Sequence, residues 1–520
     1  MCVSGKPIRL VRFIALSAGL LAASLHAQVL DVLIENGSVL DGSGSPAQVV
    51  DVGIRGDRIV LFGKAANVRA SRVIDASGLI VAPGFIDPHT HSLDDLNSKE
   101  RRGNEPYLMQ GVTTVVTGND GSSPVDIART LAHWKEAGIG TNAALFLGEG
   151  SVRREVMGMS SQAPSPEQLE RMKALVARGM KAGAIGMSTG LYYAPGSFAS
   201  TEEIVALAKE AAAAGGIYDT HMRDESSYSI GLLASVKETI RIGSEAGLPV
   251  QISHIKALGK DTWGMSPEVI ALIREARRRG IRITASQYPY DASGTSVGAS
   301  LVPRWAEAGG KSALFKRFSD PAVRPRLAAD MEKNLERRGG PESILVIDAH
   351  DTSLNGRTLG TIAKQRHETP IDAAIQIVQK GDAGVASFNM RDDDIRNFMR
   401  EDWVMTCSDG VEGHPRKYGA FPRKLRKYAL DERVISLPFA IRSSTSLPAE
   451  TLGFKERGLV KTGFFADIAI FDPKAIRDSA TYQHPRILAA GVRYLFVNGK
   501  LAVDNGRRTS VLPGGALTHR

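Results

Sequence analysis

The chain has 520 residues, 43% of them apolar, a formal charge of +9 and two cysteines. That length exceeds one small domain, and the apolar content suits a large packed core. Lys and Arg are scattered, and the densest cluster, Arg277-Arg278-Arg279, sits before Gly280 at the end of a helix-like segment. Positive charge there suits the helix dipole, so no nucleic-acid partner is expected, and two cysteines exclude a disulfide-stapled fold.

In chain order, Lys6, Arg9 and Arg12 precede an uncharged, mostly apolar run over 13–25, followed by His26-Ala27-Gln28. This is the layout of a secretory signal peptide over 1–27, cut after Ala27, and the run is short for a bilayer span. Cutting there removes three basic residues and lowers the charge from +9 to +6. It also removes Cys2, leaving Cys407 alone, so no internal disulfide can form. The expected address is periplasmic or secreted, with no stable membrane association after cleavage; the oligomeric state is left open.

Residues 28–81 read as short strands punctuated by turns: Val32-Leu33-Ile34 and Ile59-Val60-Leu61-Phe62 around Asn36-Gly37 and Gly56-Asp57. The stretch 464–520 has the same texture, with apolar runs at 466–471 and 494–497 before Asn498-Gly499. The economical arrangement is one small β domain assembled from both chain ends. Between them, 82–463 alternates strand and helix. Apolar runs fall at 114–116, 143–147, 184–187, 217–219, 250–252, 281–285 and 403–406, and one more precedes His89. Ser165-Pro166-Glu167-Gln168 and Ser200-Thr201-Glu202-Glu203 fit the capping box that starts a helix. Eight strands alternating with helices predict an α/β fold, a closed (β/α)8 TIM-like barrel. Residues from about 292 to 370 are too many for a simple connection and form an insertion, either a lid over the site or a surface elaboration.

Polar residues follow these strands in a consistent place: His89 and His91, Asp120, His221, His254 and Asp409. Alternate residues on an extended strand point the same way, so His89 and His91 can face one point. In such barrels the C-terminal strand ends carry the active site. Four histidines and two aspartates at that end point to a metal site, because neutral imidazole and carboxylate bind a zinc-like ion at about 2.0–2.2 Å. An ion with an open position lowers the pKa of bound water to roughly 7, and a carboxylate beside it can move the proton. Asp409 is the candidate for that role, the alternatives being a further ligand or a structural carboxylate. Cys407 ends an apolar strand and reads as buried packing; His133, His350, His367, His484 and His519 have no comparable context.

The chain resembles the N-acyl-D-amino-acid deacylases (D-aminoacylases) of the amidohydrolase superfamily over essentially its whole mature length. The matching stretches are 81–87 with its His-x-His, Gly111-Val112-Thr113-Thr114, 183–191, Thr220-His221-Met222-Arg223, Ser253-His254-Ile255-Lys256, Tyr288-Pro289-Tyr290, Ser408-Asp409-Gly410, His414-Pro415-Arg416 and Phe421-Pro422-Arg423. The resemblance implies a metal site of His89, His91, His221 and His254, with Asp409 as general base. It also implies a split β domain and an insertion near the seventh strand. Arg416 and Lys256 match the family's carboxylate-binding positions, with Tyr193 beside them. The implied reaction is hydrolysis of N-acyl-D-amino acids or L,D-dipeptides to a D-amino acid; the alternative is a related hydrolase of cyclic amides or lactones.

One departure stands out. Where the family has a metal-anchoring cysteine after the second strand, this chain has Thr117-Gly118-Asn119 and then Asp120, and no lysine follows strand four to serve as a carboxylated bridge. Asp120 is the candidate bridging ligand for one or two ions; otherwise it points elsewhere and one metal position is weak. Zn2+ is the expected cofactor, and a carboxylate, harder than a thiolate, also admits Mn, Co or Fe.

Overall fold

Eight parallel strands form the ring around which the chain is built, and in the computed structural model residues 1–5, 29–66 and 68–519 are described. The expected signal peptide lies, beyond its first five residues, outside the described residues. The ring comprises β1 (Phe85–Asp87), β2 (Val112–Thr117), β3 (Asn142–Leu145, continued by Leu147–Gly148), β4 (Gly186–Gly190), β5 (Ile217–His221), β6 (Val250–Ile252), β7 (Ile283–Gln287) and β8 (Val404–Thr406). Each pairs in parallel with the next. A Thr90–Gly410 bridge and the Asp409 N–H bonded to the His89 carbonyl at 3.0 Å close β8 onto β1.

Several strands run further toward their C-terminal ends than their apolar runs indicate. β4 and β5 continue through Ser188, Thr189 and Thr220 because these buried hydroxyls find partners inside the ring: Thr189 Oγ1 lies 2.8 Å from both Tyr218 OH and Thr220 Oγ1. A satisfied hydroxyl carries little burial penalty, so the hydrophobic pattern under-reads these ends. The helix Pro166–Lys181 begins with a complete capping box between Ser165 and Gln168. The helix Thr201–Ala213 has half of one: Ser200 accepts from the Glu203 N–H at 3.1 Å, but the Glu203 carboxylate turns away to pair with buried Arg153.

Both chain ends share one sheet. Ile468–Phe471 pairs antiparallel with Ile80–Pro83, which carries Ser38–Val39 on its other edge. The strand Ile80–Pro83 runs across the expected bound at 81: Ala82 and Pro83 pair with Ala469 and Ile468, and Val81 joins Val52, Ile54, Ile468, Ile470 and Phe496 in a core between this sheet and a four-stranded one. At the other end Ala516–Leu517 leaves the β domain and pairs with β3.

The insertion is a three-stranded antiparallel sheet with its own core of Val297, Leu301, Met331, Ile344, Ile371, Ile375 and Val385. It continues past the expected limit of 370 to Phe388, because Ala383–Phe388 is the middle strand of that sheet, between Ala292–Ser296 and Ile344–Ala349. The helix Pro370–Gln379 buries its apolar face in the same core.

Behind β8, Lys424 is buried and donates to Thr406 Oγ1 at 2.8 Å and Ser443 Oγ at 2.9 Å. Burial pushes its amine down to about 7 from 10.5. The unfolded chain then holds a proton that the folded chain lacks between those pH values, so stability falls as pH drops from 10.5 to 7 and levels off below 7. The slope for one proton is about 1.4 kcal/mol per pH unit. Lys424→Met is expected to remove this slope from denaturation midpoints measured between pH 7 and 10; equal slopes in the two proteins would refute it.

Candidate metal centre and active site

All six residues expected to surround a metal leave the barrel at its C-terminal end. His89 and His91 follow β1, Asp120 follows β2, His221 ends β5, His254 follows β6 and Asp409 follows β8. Asp120, His254 and Asp409 adopt left-handed φ values of 56°, 36° and 47°. Such values are uncommon outside glycine; each places a sharp bend immediately beyond its strand.

The six side chains converge. Asp120 Oδ1 lies 3.5 Å from His89 Nε2, 3.7 Å from His221 Nδ1 and 3.4 Å from His254 Nε2. Asp120 Oδ2 lies 3.5 Å from His91 Nε2. Asp409 Oδ1 is 3.0 Å from His91 Nε2 and 3.5 Å from His89 Nε2. Asp120 thus sits between two donor sets, His89–His91–Asp409 and His221–His254, as a bridging ligand must.

The donor chemistry fits a divalent cation. Both ring nitrogens of His89 and Oδ1 of Asp120 are buried without a hydrogen-bond partner, a costly state that coordination relieves. Burial drives His89 down to about 4, against the pull of Asp120 and Asp409, so its imidazole is neutral. Burial alone would raise Asp120, but His89, His254 and His221 more than offset it and hold the carboxyl well below the usual range. Neutral imidazole with ionised carboxylate is the form that ligates metal.

A cavity of about 380 Å³ opens over this cluster, lined by His91, Asp120, His221, His254 and Asp409 together with Tyr193 and Lys256. The Tyr193 ring stands 4.8 Å from that of His221. The insertion supplies one wall through Ser293–Ser296 and Arg338. Arg416 lies behind Asp409, fully buried, with Nη2 2.9 Å from Asp409 Oδ2 and its guanidinium 4.4 Å over the Tyr288 ring. The contact with Asp409 is an ion pair, and none of the three guanidinium nitrogens has a hydrogen-bond partner. Gly294 permits this approach, since a β-carbon there would meet Nη2 at 2.8 Å. His414 braces the arrangement: its Nδ1 accepts from the Arg416 N–H and its Nε2 donates to the Ala292 carbonyl, each at 3.2 Å.

Four residues of the site had no role assigned from the sequence. Glu225 touches both His254 and Lys256; its only signal is a place four residues beyond His221 in the same loop. Arg338 comes from the insertion and has no periodic context. Tyr288 and His414 stand in recognisable motifs; Tyr288 meets Arg416 because β7 and β8 are neighbours in the ring, and His414 meets it from two residues away. Cys407 is buried, in keeping with packing.

The match to a family model described as the amidohydrolase family spans residues 72–503. This chain belongs to the amidohydrolase family. A D-aminoacylase of Alcaligenes xylosoxydans xylosoxydans is 35% identical to this amidohydrolase over 500 residues, covering 91% of this chain and 94% of that protein. A solved D-aminoacylase with a binuclear metal centre aligns with a TM-score of 0.81 at 32% identity, covering 94% of this chain and 100% of that one. An N-acyl-D-glutamate deacylase from Bordetella bronchiseptica, complexed with zinc and a phosphonate mimic of the tetrahedral intermediate, aligns with the same TM-score at 29% identity, covering 95% and 100%. The amidohydrolase is a metal-dependent hydrolase of amide bonds, on a TIM barrel with a β domain.

Proposed function

We propose that this amidohydrolase releases a D-amino acid from N-acyl-D-amino acids or L,D-dipeptides. The observation that carries the reading is the buried Arg416 guanidinium, without a hydrogen-bond partner and in ion contact with Asp409, where Asp409 and Lys256 both line the cavity and Arg416 stands behind Asp409. Such a pair of cations suits a substrate whose scissile amide adjoins a free carboxylate, which guanidinium and ammonium hold by charge-assisted hydrogen bonds. The D-aminoacylase and N-acyl-D-glutamate deacylase activities of similar proteins support the stereochemistry.

A divalent ion held by His89, His91, Asp120, His221 and His254 would polarise the amide carbonyl and lower the pKa of a water. Asp409 accepts the proton of the attacking water and delivers it to the amide nitrogen as the C–N bond breaks, leaving a carboxylate and a free amine. Arg416 and Lys256 fix the α-carboxylate, and Tyr193 positions the substrate against His221. Zn2+ is the proposed ion, with Mn, Co or Fe admissible because Asp120 offers oxygen where the family has sulfur. The basic and apolar N-terminal segment supports export, where D-amino-acid fragments of cell wall are the proposed source of substrate.

The test is product release by metal-quantified protein from N-acetyl-D-, N-acetyl-L- and L,D-dipeptide substrates, and from cyclic amides and lactones. D-selective release, abolished by chelation and restored by Zn2+, is the expected result. Turnover of cyclic substrates that survives Arg416→Ala and Lys256→Ala would instead place the enzyme among hydrolases of cyclic amides.

A further inference from the structure

The histidine pair of the metal centre meets a second carboxylate, Glu225, on the side away from Asp120, and the three together could also hold a cation. His254 turns Nε2 toward Asp120 Oδ1, at 3.4 Å, and Nδ1 toward Glu225 Oε1, at 3.1 Å. His221 is oriented in the opposite sense: Nδ1 lies 3.7 Å from Asp120 Oδ1, and Nε2 lies 3.6 Å from Glu225 Oε2. The two Asp120-facing nitrogens are 2.9 Å apart. One carboxylate therefore faces the outer nitrogen of both rings, one oxygen to each. All three residues are buried.

The ammonium of Lys256 shows on which side a cation belongs. Its Nζ lies 2.7 Å from Glu225 Oε1 and 2.7 Å from His254 Nδ1. A metal bound between Glu225 and the outer nitrogens would sit against that positive charge, whereas the Asp120 side faces carboxylates. The same contact sets up a competition. If His254 Nδ1 accepts from the ammonium, the neutral ring carries its proton on Nε2 and has no lone pair for a metal. If Nδ1 keeps the proton and donates to Glu225, the Nε2 lone pair faces Asp120. A ring nitrogen's partner decides which tautomer is populated.

We infer that Glu225 is a positioning residue that selects the metal-binding tautomers of His221 and His254, by accepting from His254 Nδ1, by facing His221 Nε2 with its second oxygen, and by competing with His254 Nδ1 for the Lys256 ammonium that touches both. This rests on the metal-dependent reading of the site and gives Lys256 a second duty beside the substrate carboxylate.

The test measures metal rather than turnover. Purified Glu225→Gln, Lys256→Met and the double variant are titrated with Zn2+ against a competing chelator, with bound metal counted and folding checked by circular dichroism. Glu225→Gln is expected to bind metal at the histidine pair about 10–100-fold more weakly, because the neutral amide competes less well for the ammonium and leaves it to His254 Nδ1. Lys256→Met is expected to keep wild-type metal affinity, and adding it to Glu225→Gln should recover part of the loss, since the glutamine carbonyl can still accept from Nδ1. Wild-type metal affinity in folded Glu225→Gln would overturn the inference. So would a zinc-loaded crystal structure with a Glu225 oxygen at bonding distance, about 2.0–2.2 Å. The expected loss of Zn2+ affinity in Glu225→Gln, together with no turnover of any acyl amino acid by zinc-loaded wild type, would overturn the proposed substrate and leave this role intact.

Discussion

Asp409→Asn is expected to lower kcat by about 10²–10⁴-fold, the usual contribution of a positioned acid–base group, with protein that remains folded. The geometry explains why one atom matters so much. Oδ1 faces the histidines His91 and His89, and Oδ2 faces Arg416. An amide cannot serve both: its NH2 must confront either the guanidinium or the metal-facing nitrogens. The substitution also leaves Arg416 as a buried charge without its partner, a loss of about 3–5 kcal/mol for a buried pair, so a lower melting temperature should accompany the rate loss. Kinetics on samples of known metal content separate the base from ligation. A variant within tenfold of wild type at equal metal loading would remove Asp409 from the proton-transfer role.

Arg416→Met is expected to lower kcat/KM for N-acyl-D-amino acids by about 10²–10³-fold, as one or two charge-assisted hydrogen bonds of about 1.5–3 kcal/mol are lost. Substrates whose α-carboxylate is capped as an amide should react alike with wild type and variant at pH values above the acid limb of both. A pH effect should appear as well. Burial raises the Asp409 carboxyl, but Arg416, with His254, His91 and His89, outweighs it and holds the group below the usual carboxylate range. Asp409 is therefore ionised, and able to accept a proton, across ordinary assay pH. Removing the guanidinium takes away the largest of these opposing influences, so the acid limb of the kcat profile should move to higher pH. The stability linked to ionised Asp409, present above its unfolded pKa and lost as pH falls through its folded pKa, should likewise begin to fail at higher pH. An unchanged pH profile with a large rise in KM would mean that Arg416 binds substrate without tuning the base.

How far the sequence carries can be followed residue by residue. The eight strands are legible because parallel strands buried on both faces must be apolar along much of their length, as residues 143–147 are throughout. Their C-terminal ends are not, since Ser188, Thr189 and Thr220 are polar and find partners far off in the chain: Thr189 and Thr220 in each other, and Ser188 in Gly118 and Gly121 beyond β2. The insertion is visible as an excess of chain after the seventh strand. Its end at Phe388 is hidden, because only pairing shows that Ala383–Phe388 is the middle strand of a separate sheet. The half capping box at Ser200 misleads for a similar reason: Glu203 prefers a buried guanidinium contributed by a different helix.

For the site, the sequence alone determines the kinds of donor and the strand each one follows. A strand end is a local address, and histidine and aspartate carry their ligating atoms wherever the chain puts them. Tertiary structure decides the rest: that Asp120 lies between two donor sets, that Arg416 reaches Asp409 through the gap left by Gly294, and that Glu225 faces the outer nitrogens of two histidines. Each of these depends on the orientation of a ring or a carboxylate over a few ångströms. That orientation is set by contacts among residues far apart in the chain, for which no local pattern of residue types can substitute.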